Sequence, residues 1–376
     1  MSKESLNFVK VLSVFCATII GAGIFVLPYI ILKIGFILFF TFLIILSFLV
    51  IIIHRLLGKI VVGTEEIHSI PGYTEKYLGS KFKNFSLFIS SIRIVGVLLI
   101  YILLGGQFLY ALFNPYFGGS ATIYIIIFFI VSSIIIYKKN NNNSWLEIDI
   151  IGILMVILIF LIKGWPVFKS INLLGIPDVS YSGLAYGILI FALWGLPTVP
   201  RLYGLVRNNE EEYKKVINWG IILSAVFYLL FAVIIFRVSG VNTSSDALSG
   251  FSSIIGGNLV KLGFVFGLIV ILTSFLASGF SLKEIFHKDA MLSKPMSWLL
   301  VCFLPFSLLL IKFRDFVSIM SGIGAFLYTA EAIIIVFVYR KFFYLKFGKK
   351  PPRYTSLLLA LFSVITIFEF WYFFIK

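Results

Sequence analysis

From Phe36 to Ile53 the chain runs eighteen residues without a charged side chain, and nearly all of them are Phe, Leu, Ile or Val. A helix of about 20 such residues crosses the hydrocarbon core of a bilayer, since each residue advances it by about 1.5 Å. Comparable runs recur along the whole sequence. Of the 376 residues, 60% are hydrophobic and 12% charged, whereas soluble domains carry about 25% charged residues. A soluble enzyme, a disordered chain and a nucleic-acid-binding domain are excluded. So is a transmembrane β-barrel, whose strands alternate polar and apolar residues. The chain reads as one all-α polytopic membrane domain over 1–376.

Runs of this length predict eleven spans, at 8–33, 36–54, 85–112, 119–137, 145–163, 183–204, 216–238, 258–282, 296–312, 316–339 and 355–374. An odd number places the termini on opposite sides. With the N terminus in the cytoplasm, 22 of the 31 Lys and Arg residues fall in inner loops and 8 on the outer side, leaving Arg93 inside a span. That is the asymmetry of the positive-inside rule. The net charge of +15 is therefore a topology signal and implies no nucleic-acid partner. A cell-membrane protein with an inner N terminus and an outer C terminus is expected. The stretch Gly58–Asn84, with Pro71-Gly72-Tyr73, reads as an inner connection holding a short amphipathic helix. Gly164–Ser182 and Ser239–Asn258 read as outer coverings, and Asn140–Asn143 as a polar linker.

Two spans carry interruptions. The first holds Gly21-Ala22-Gly23-Ile24-Phe25-Val26-Leu27-Pro28, and the sixth Phe191-Ala192-Leu193-Trp194-Gly195-Leu196-Pro197-Thr198-Val199-Pro200. Each glycine weakens a helix by about 1 kcal/mol, and Pro28 removes a backbone hydrogen bond. Glycines in membrane helices also serve close packing. Irregular backbone at membrane depth is tolerated only in a protein interior or against a wet cavity, and interruptions at corresponding places in two halves point to a transporter's binding site. Five spans separate the two, so halves 8–163 and 183–339 insert in opposite orientations as an inverted repeat, with 355–374 an extra helix.

The string Ile19-Ile20-Gly21-Ala22-Gly23-Ile24-Phe25-Val26-Leu27-Pro28-Tyr29 resembles the first-helix motif of the amino acid–polyamine–organocation superfamily. Within it, the chain is similar to the hydroxy/aromatic amino acid permeases and the amino acid/auxin permeases. Phe191–Pro200, Trp219–Phe231 and Thr273–Gly279 with Asp289 carry the same resemblance. It implies the leucine-transporter fold and coupled amino acid uptake. It also implies roles. Backbone amides bared at Gly21, Ala22, Gly23 and Ile24 would hold a substrate carboxylate at a positive helix end. Carbonyls over Phe191–Gly195 would accept from its ammonium, with Phe191 and Trp194 as pocket walls and Tyr101 as an outer lid. Thr273 and Ser274, with carbonyls near Ala17 and Ile20, would complete a sodium site. Hydroxyls in membrane helices also bond to their own backbone, and proton-coupled relatives carry hydroxyls here too. The lysine that some of those relatives place in the fifth helix is missing between Ile148 and Leu161.

Charges inside the bilayer are costly, and they are paired or functional. Arg93 and Glu331 sit at similar depth, which predicts a pair acting as a strut or an inner gate, with Glu331 a candidate proton site. The other reading has Arg93 reaching the interface and Glu331 facing water. Glu369 is expected at the interface, and His54, His68 and His287 at inner helix ends without metal-ligand spacing. No nucleophile–base set or phosphate loop occurs, so neither an enzyme nor a cofactor is expected beyond a coupling ion. The lipid bilayer and a small amino acid are the expected partners. An amino-acid-binding membrane sensor on the same scaffold stays open, as does a permease for another small solute. A polyamine cargo is disfavoured by the lack of a carboxylate near either interruption.

Overall fold

The computed structural model describes residues 3–138, 168, 178–311 and 314–375. Helices α1 (Lys3–Ile19) and α2 (Gly23–Ile34) form one span, bent by 58°. Then follow α3 (Phe36–Val62), the short α4 (Ile70–Leu78), α5 (Ser80–Phe117) and α6 (Ala121–Lys138). The sixth predicted span is α7 (Ser182–Leu193) and α8 (Val199–Leu205), separated by a 3-10 turn, Leu196–Thr198. Next come α9 (Glu210–Ser239), the covering helix α10 (Leu248–Ile255), α11 (Gly257–Glu284) and α12 (Lys294–Leu310). Helices α13 (Phe316–Gly322) and α14 (Thr329–Phe347) are joined by a π-helical segment, Ile323–Tyr328, and α15 (Arg353–Phe374) ends the fold.

Among the described residues, eight helices are long and apolar enough to cross a membrane, the bent α1–α2 pair makes a ninth, and α12 is shorter. The predicted span 145–163 and the linker Asn140–Asn143 lie outside the described residues. Several expected boundaries move, α5 by five residues at each end and α9 by six at its start. Helix α3 continues eight residues past 54, because Leu56, Leu57, Ile60 and Val61 still bury against the protein. Gly58 is therefore helical rather than the start of a loop. His54, expected at an inner helix end, is fully buried within α3.

The ends of the elements follow from local chemistry. Ser69 accepts from the Gly72 amide with Pro71 in the first turn, which starts α4. Asn209 caps α9 at the Glu211 and Glu212 amides, and three glutamates in its first turn complement the helix dipole. Helix α5 runs through the centre, with 78% of its most apolar window inside the protein, and α15 runs at the edge with 17%. Exposed Leu357, Val364 and Ile367 on α15 fit a lipid-facing surface. Glu369 corrects an expectation. It is fully buried rather than interfacial, on a helix that packs against α7 and the π segment.

Small residues set the closest approaches. A side chain at Gly324 in the π segment would land on the Gly187 carbonyl oxygen of α7, and one at Gly187 on the Ser321 carbonyl. Gly324→Ala is therefore expected to lower the melting temperature of the purified protein, since overpacking costs about 1–3 kcal/mol. Gly322→Ala, which meets nothing nearby, should leave it within a degree or two, about the effect of a few tenths of a kcal/mol.

Candidate functional site

Both breaks abut one cavity of about 150 Å³. Ala17 to Ile19 and Gly21 to Gly23 line it from the first break, and Phe191, Ala192, Trp194 and Gly195 from the second. Helix α5 contributes Arg93, Ile94, Val97 and Tyr101, one face over two turns, and α11 contributes Ser274, Ala277, Ser278 and Ser281. A second cavity of about 520 Å³ adjoins it through Arg93, Ile94, Pro197 and Ser281. That vestibule is walled by the 67–69 loop and α4, so the site communicates with the face carrying that loop.

The opposite direction is closed. Eight residues along α5 from Arg93, about 12 Å, Tyr101 faces Gly21 and Ser274. Beyond it Phe25 packs edge-on against Phe108 at 5.0 Å and Phe231 at 6.1 Å between ring centroids, and Phe108 against Phe264 at 5.7 Å. All four rings are buried. The plug joins α2 and α9 to α5 and α11.

At the first break the chain leaves the helix at Ile20 and re-enters it at Gly23. The unwinding, Ile20–Ala22, thus starts one residue and ends two residues before the expected Gly21–Ile24. Ile24 lies within α2 and off the cavity, and Pro28 sits in α2 without interrupting it. The Gly21 amide turns back to the Ile19 carbonyl at 2.9 Å. Among the described residues no acceptor serves the amides of Ala22 and Gly23, which open α2. Gly23 has no room for a side chain, because a Cβ there would lie 2.7 Å from that of Ala192. The two breaks touch at this point.

At the second break Trp194 and Gly195 are non-helical. Pro197 lacks the N–H that would bond Leu193, so the helix cannot continue regularly. Two side chains complete the exposed backbone. The Tyr228 hydroxyl stands 2.8 Å from the Ile19 carbonyl and 2.7 Å from that of Ala192, so its one proton is shared between the ends of α1 and α7. The Gly195 N–H donates to His54 Nε2 at 3.2 Å, and His54 Nδ1–H donates to the Val50 carbonyl at 2.8 Å. These two partners assign the neutral Nδ1–H tautomer.

Trp194 is held by its whole ring. Its indole N–H donates to Glu331 Oε2 at 2.7 Å, its face lies 5.0 Å from Tyr328, and His54 meets its edge at 5.7 Å. Ser90 donates to Glu331 Oε1 at 3.5 Å, and Arg93 Nε approaches that oxygen to 3.7 Å. Arg93 also lies over the Tyr328 ring at 5.4 Å. Arg93 and Glu331 are both buried and face each other, so Arg93 does not reach the interface, while both also line the vestibule. A carboxylate thus stands beside the second break, supplied by α14. This overturns the sequence argument that none lies near, and with it the ground for disfavouring a polyamine.

Most predicted site residues meet in the cavity: Gly21, Ala22, Gly23, Phe191, Trp194, Gly195, Tyr101, Ala17, Ser274 and Arg93. Glu331 lines the vestibule instead. Ile24, Ile20 and Thr273 do not line the cavity. The Thr273 hydroxyl donates to the Ile269 and Val270 carbonyls of its own helix, at 3.0 Å each, while Ser274 faces Gly21. Sequence reasoning missed Tyr228, His54, Tyr328, Ser278 and Ser281. Only the last two left a signal, since Ser274, Ser278 and Ser281 share one helix face by spacing.

Residues 5–341 match the model of the tryptophan/tyrosine permease family. No curated protein matches the chain. Among solved structures, the inward-facing conformation of Mhp1 is similar with a TM-score of 0.70 at 9% identity, covering 95% of this chain and 84% of that one. Mhp1 in a closed conformation with bromovinylhydantoin bound, a nucleobase-cation-symport-1 family transporter, gives 0.63 at 9% identity, covering 96% and 90%. The fold is thus of the leucine-transporter class.

Tyr228→Phe keeps the ring but leaves the Ile19 and Ala192 carbonyls unserved. Each buried unsatisfied group costs about 1–3 kcal/mol, so the variant should unfold at clearly lower temperature in a fluorescence melt. An unchanged melt would mean that water replaces the hydroxyl.

Proposed function

The chain belongs to the tryptophan/tyrosine permease family, and on that premise we propose that it is a secondary active symporter carrying an aromatic amino acid by alternating access. It is an integral membrane transporter, not an enzyme. One observation carries the finer reading: the breaks of two spans meet at a cavity with unserved amides on one side and aromatic rings on the other. A zwitterion fits this pattern. The amides of Ala22 and Gly23 point their positive helix end at a carboxylate. The Ala192 carbonyl is taken by Tyr228 and that of Gly195 by the Thr198 amide, so the carbonyl of Trp194, a residue that lines the cavity, is assigned to the ammonium. Phe191, Trp194 and Tyr328 supply an aromatic wall, and ring-to-ring packing there contributes about 0.5–1.5 kcal/mol per pair beyond area burial. Size supports this. A water needs about 10–15 Å³ of such volume, so 150 Å³ accommodates about as many non-hydrogen atoms as an aromatic amino acid has.

Placing the lysine- and arginine-rich loops in the cytoplasm makes the open vestibule face inward and the aromatic plug outward. The protein then sits in the cell membrane with its N terminus inside and its C terminus outside. Two coupling stations flank the cavity. Sodium, a hard cation, would take the Ser274 hydroxyl with carbonyls of the first break near Ala17 and Ile20. A proton would take Glu331, whose carboxylate holds the second break through Trp194. Thr273, turned to its own helix, contributes less than the sequence suggests.

Proteoliposomes given separate sodium and proton gradients test both parts. Labelled tryptophan or tyrosine should accumulate under one gradient. Binding without accumulation under either would assign the chain to sensing instead. Under sodium coupling, Ser274→Ala should raise the sodium concentration for half-maximal uptake at least tenfold. Under proton coupling, Glu331→Gln should flatten the pH dependence and leave exchange between loaded vesicles intact.

A further inference from the structure

The guanidinium of Arg93 is more strongly buried than it is bonded. Its side chain is 8% exposed, and its Nε has no hydrogen-bond partner among the described residues. The nearest carboxylate oxygen, Glu331 Oε1, is 3.7 Å away, beyond hydrogen-bond range. Glu331 has turned its other oxygen to the Trp194 indole at 2.7 Å. A buried ion pair built as a strut closes its donors onto its acceptors, because the desolvation cost is recovered only with good geometry. This pair does not close. Lys288, the other Lys or Arg side chain among the vestibule's lining residues, is committed to Glu284 at 2.9 Å.

Position adds a reason. Arg93 lines both the central cavity and the vestibule, so it stands at the neck every solute must pass. Tyr328 holds the guanidinium from one side, its ring 5.4 Å from the guanidinium carbon and its hydroxyl in hydrogen-bonding reach. Further out the vestibule presents Glu75, Glu284 and Asp289, which repel an anionic group. We propose that Arg93 is a second carboxylate site, which takes the substrate's carboxylate from the Ala22 and Gly23 amides while the cavity is open to the vestibule. This rests on the amino acid reading above and adds a residue to it. A guanidinium presents paired donors matched to a carboxylate, which a lysine ammonium does not. The backbone amides and Arg93 then offer two stations along one path, and the solute need not leave one anion-binding group for bare water.

The test compares acids with their decarboxylated amines, tryptophan with tryptamine and tyrosine with tyramine, by equilibrium binding to the purified full-length protein. The double variant R93Q/E331Q removes both charges, so no orphaned carboxylate confuses folding, and its melt is recorded alongside. The acid-to-amine affinity ratio should fall at least tenfold in the double variant. In R93K it should be intermediate, and E331Q alone, which keeps the guanidinium, should retain more of the preference for the acid than the double variant does, whatever its own affinity. An unchanged ratio in the double variant overturns the proposal, as does an equal loss of acid and amine. If wild-type protein binds neither acid, the amino acid reading fails first and takes this inference with it. The two failures are therefore distinguishable.

Discussion

An unpaired peptide group inside a bilayer costs several kcal/mol, because no water is present to serve it. The two broken spans expose many such groups, and the rest of the structure is arranged around how they are satisfied. Tyr228 from α9 serves the carbonyl ends of both α1 and α7, and His54 from α3 serves the amide at Gly195. Among the described residues, what these side chains leave unserved includes the pair of amides that opens α2. The proposed binding surface is therefore a remainder: backbone groups that the described residues do not satisfy. That remainder is a fixed array of dipoles, already oriented before a ligand arrives, in a setting where electrostatic interactions are stronger than in water.

Part of this was legible from the sequence. Long uncharged runs fix membrane helices because no other arrangement satisfies the backbone there, and Gly21-Ala22-Gly23 and Trp194-Gly195 with Pro197 mark the breaks through local conformational cost. What was not legible comes from tertiary contact. Tyr228 is more than 200 residues from Ile19, and nothing in the span Glu210–Ser239 distinguishes it from other buried aromatics. His54 looked terminal because the apolar run seemed to end there, whereas α3 continues along a buried face. Glu331 was visible as an intramembrane charge, and its pairing with Arg93 was a matter of equal depth. That it also reaches the second break depends on the packing of α14 against α5 and the turn of Trp194, which no local pattern encodes. The shift of the first break to Ile20–Ala22 has a simpler cause. Pro28 costs one hydrogen bond within a helix that its neighbours support, while Gly21 and Gly23 release the backbone itself.

The Glu331 contact with Trp194 ties α14 to the most irregular piece of the sixth span. A carboxylate accepting an indole N–H at 2.7 Å is a charge-assisted bond, and burial strengthens it. Anything that alters the charge on Glu331, or offers Trp194 a different partner, changes how firmly the second break is held against the helix beside it. Arg93 shares the carboxylate at longer range, so the three side chains form one electrostatic unit whose members lie on α5, α14 and the second break. This links the chemistry of the cavity to the relative position of helices without requiring any long chain of intermediaries.

The two ends of the path differ in kind, and the difference bears on how the carrier switches. The vestibule is lined by charged and hydroxyl side chains, among them Ser281, Glu284, Lys288 and Asp289, so opening or closing it exchanges hydrogen bonds with water at small net cost. The plug of Phe25, Phe108, Phe231 and Phe264 is apolar, and parting it exposes ring surface. Separating Phe25 from its neighbours would uncover about 100 Å² of aromatic surface, half or so of what a ring buries, which at about 25 cal/mol per Å² is about 2–3 kcal/mol. That is the scale of gap separating two conformers of one protein when the minor one is still measurably populated. A ligand can invert such a gap only by binding the two conformers with affinities that differ by a similar amount. Two or three charge-assisted bonds from bared amides to a carboxylate are enough to do so, provided they are better formed in one conformer than in the other. Phe25 rides on α2, the same short helix whose first amides are the proposed carboxylate site. On the proposed reading, a movement of α2 that improves its hold on a carboxylate also moves the plug, which makes binding and gating a single displacement of twelve residues.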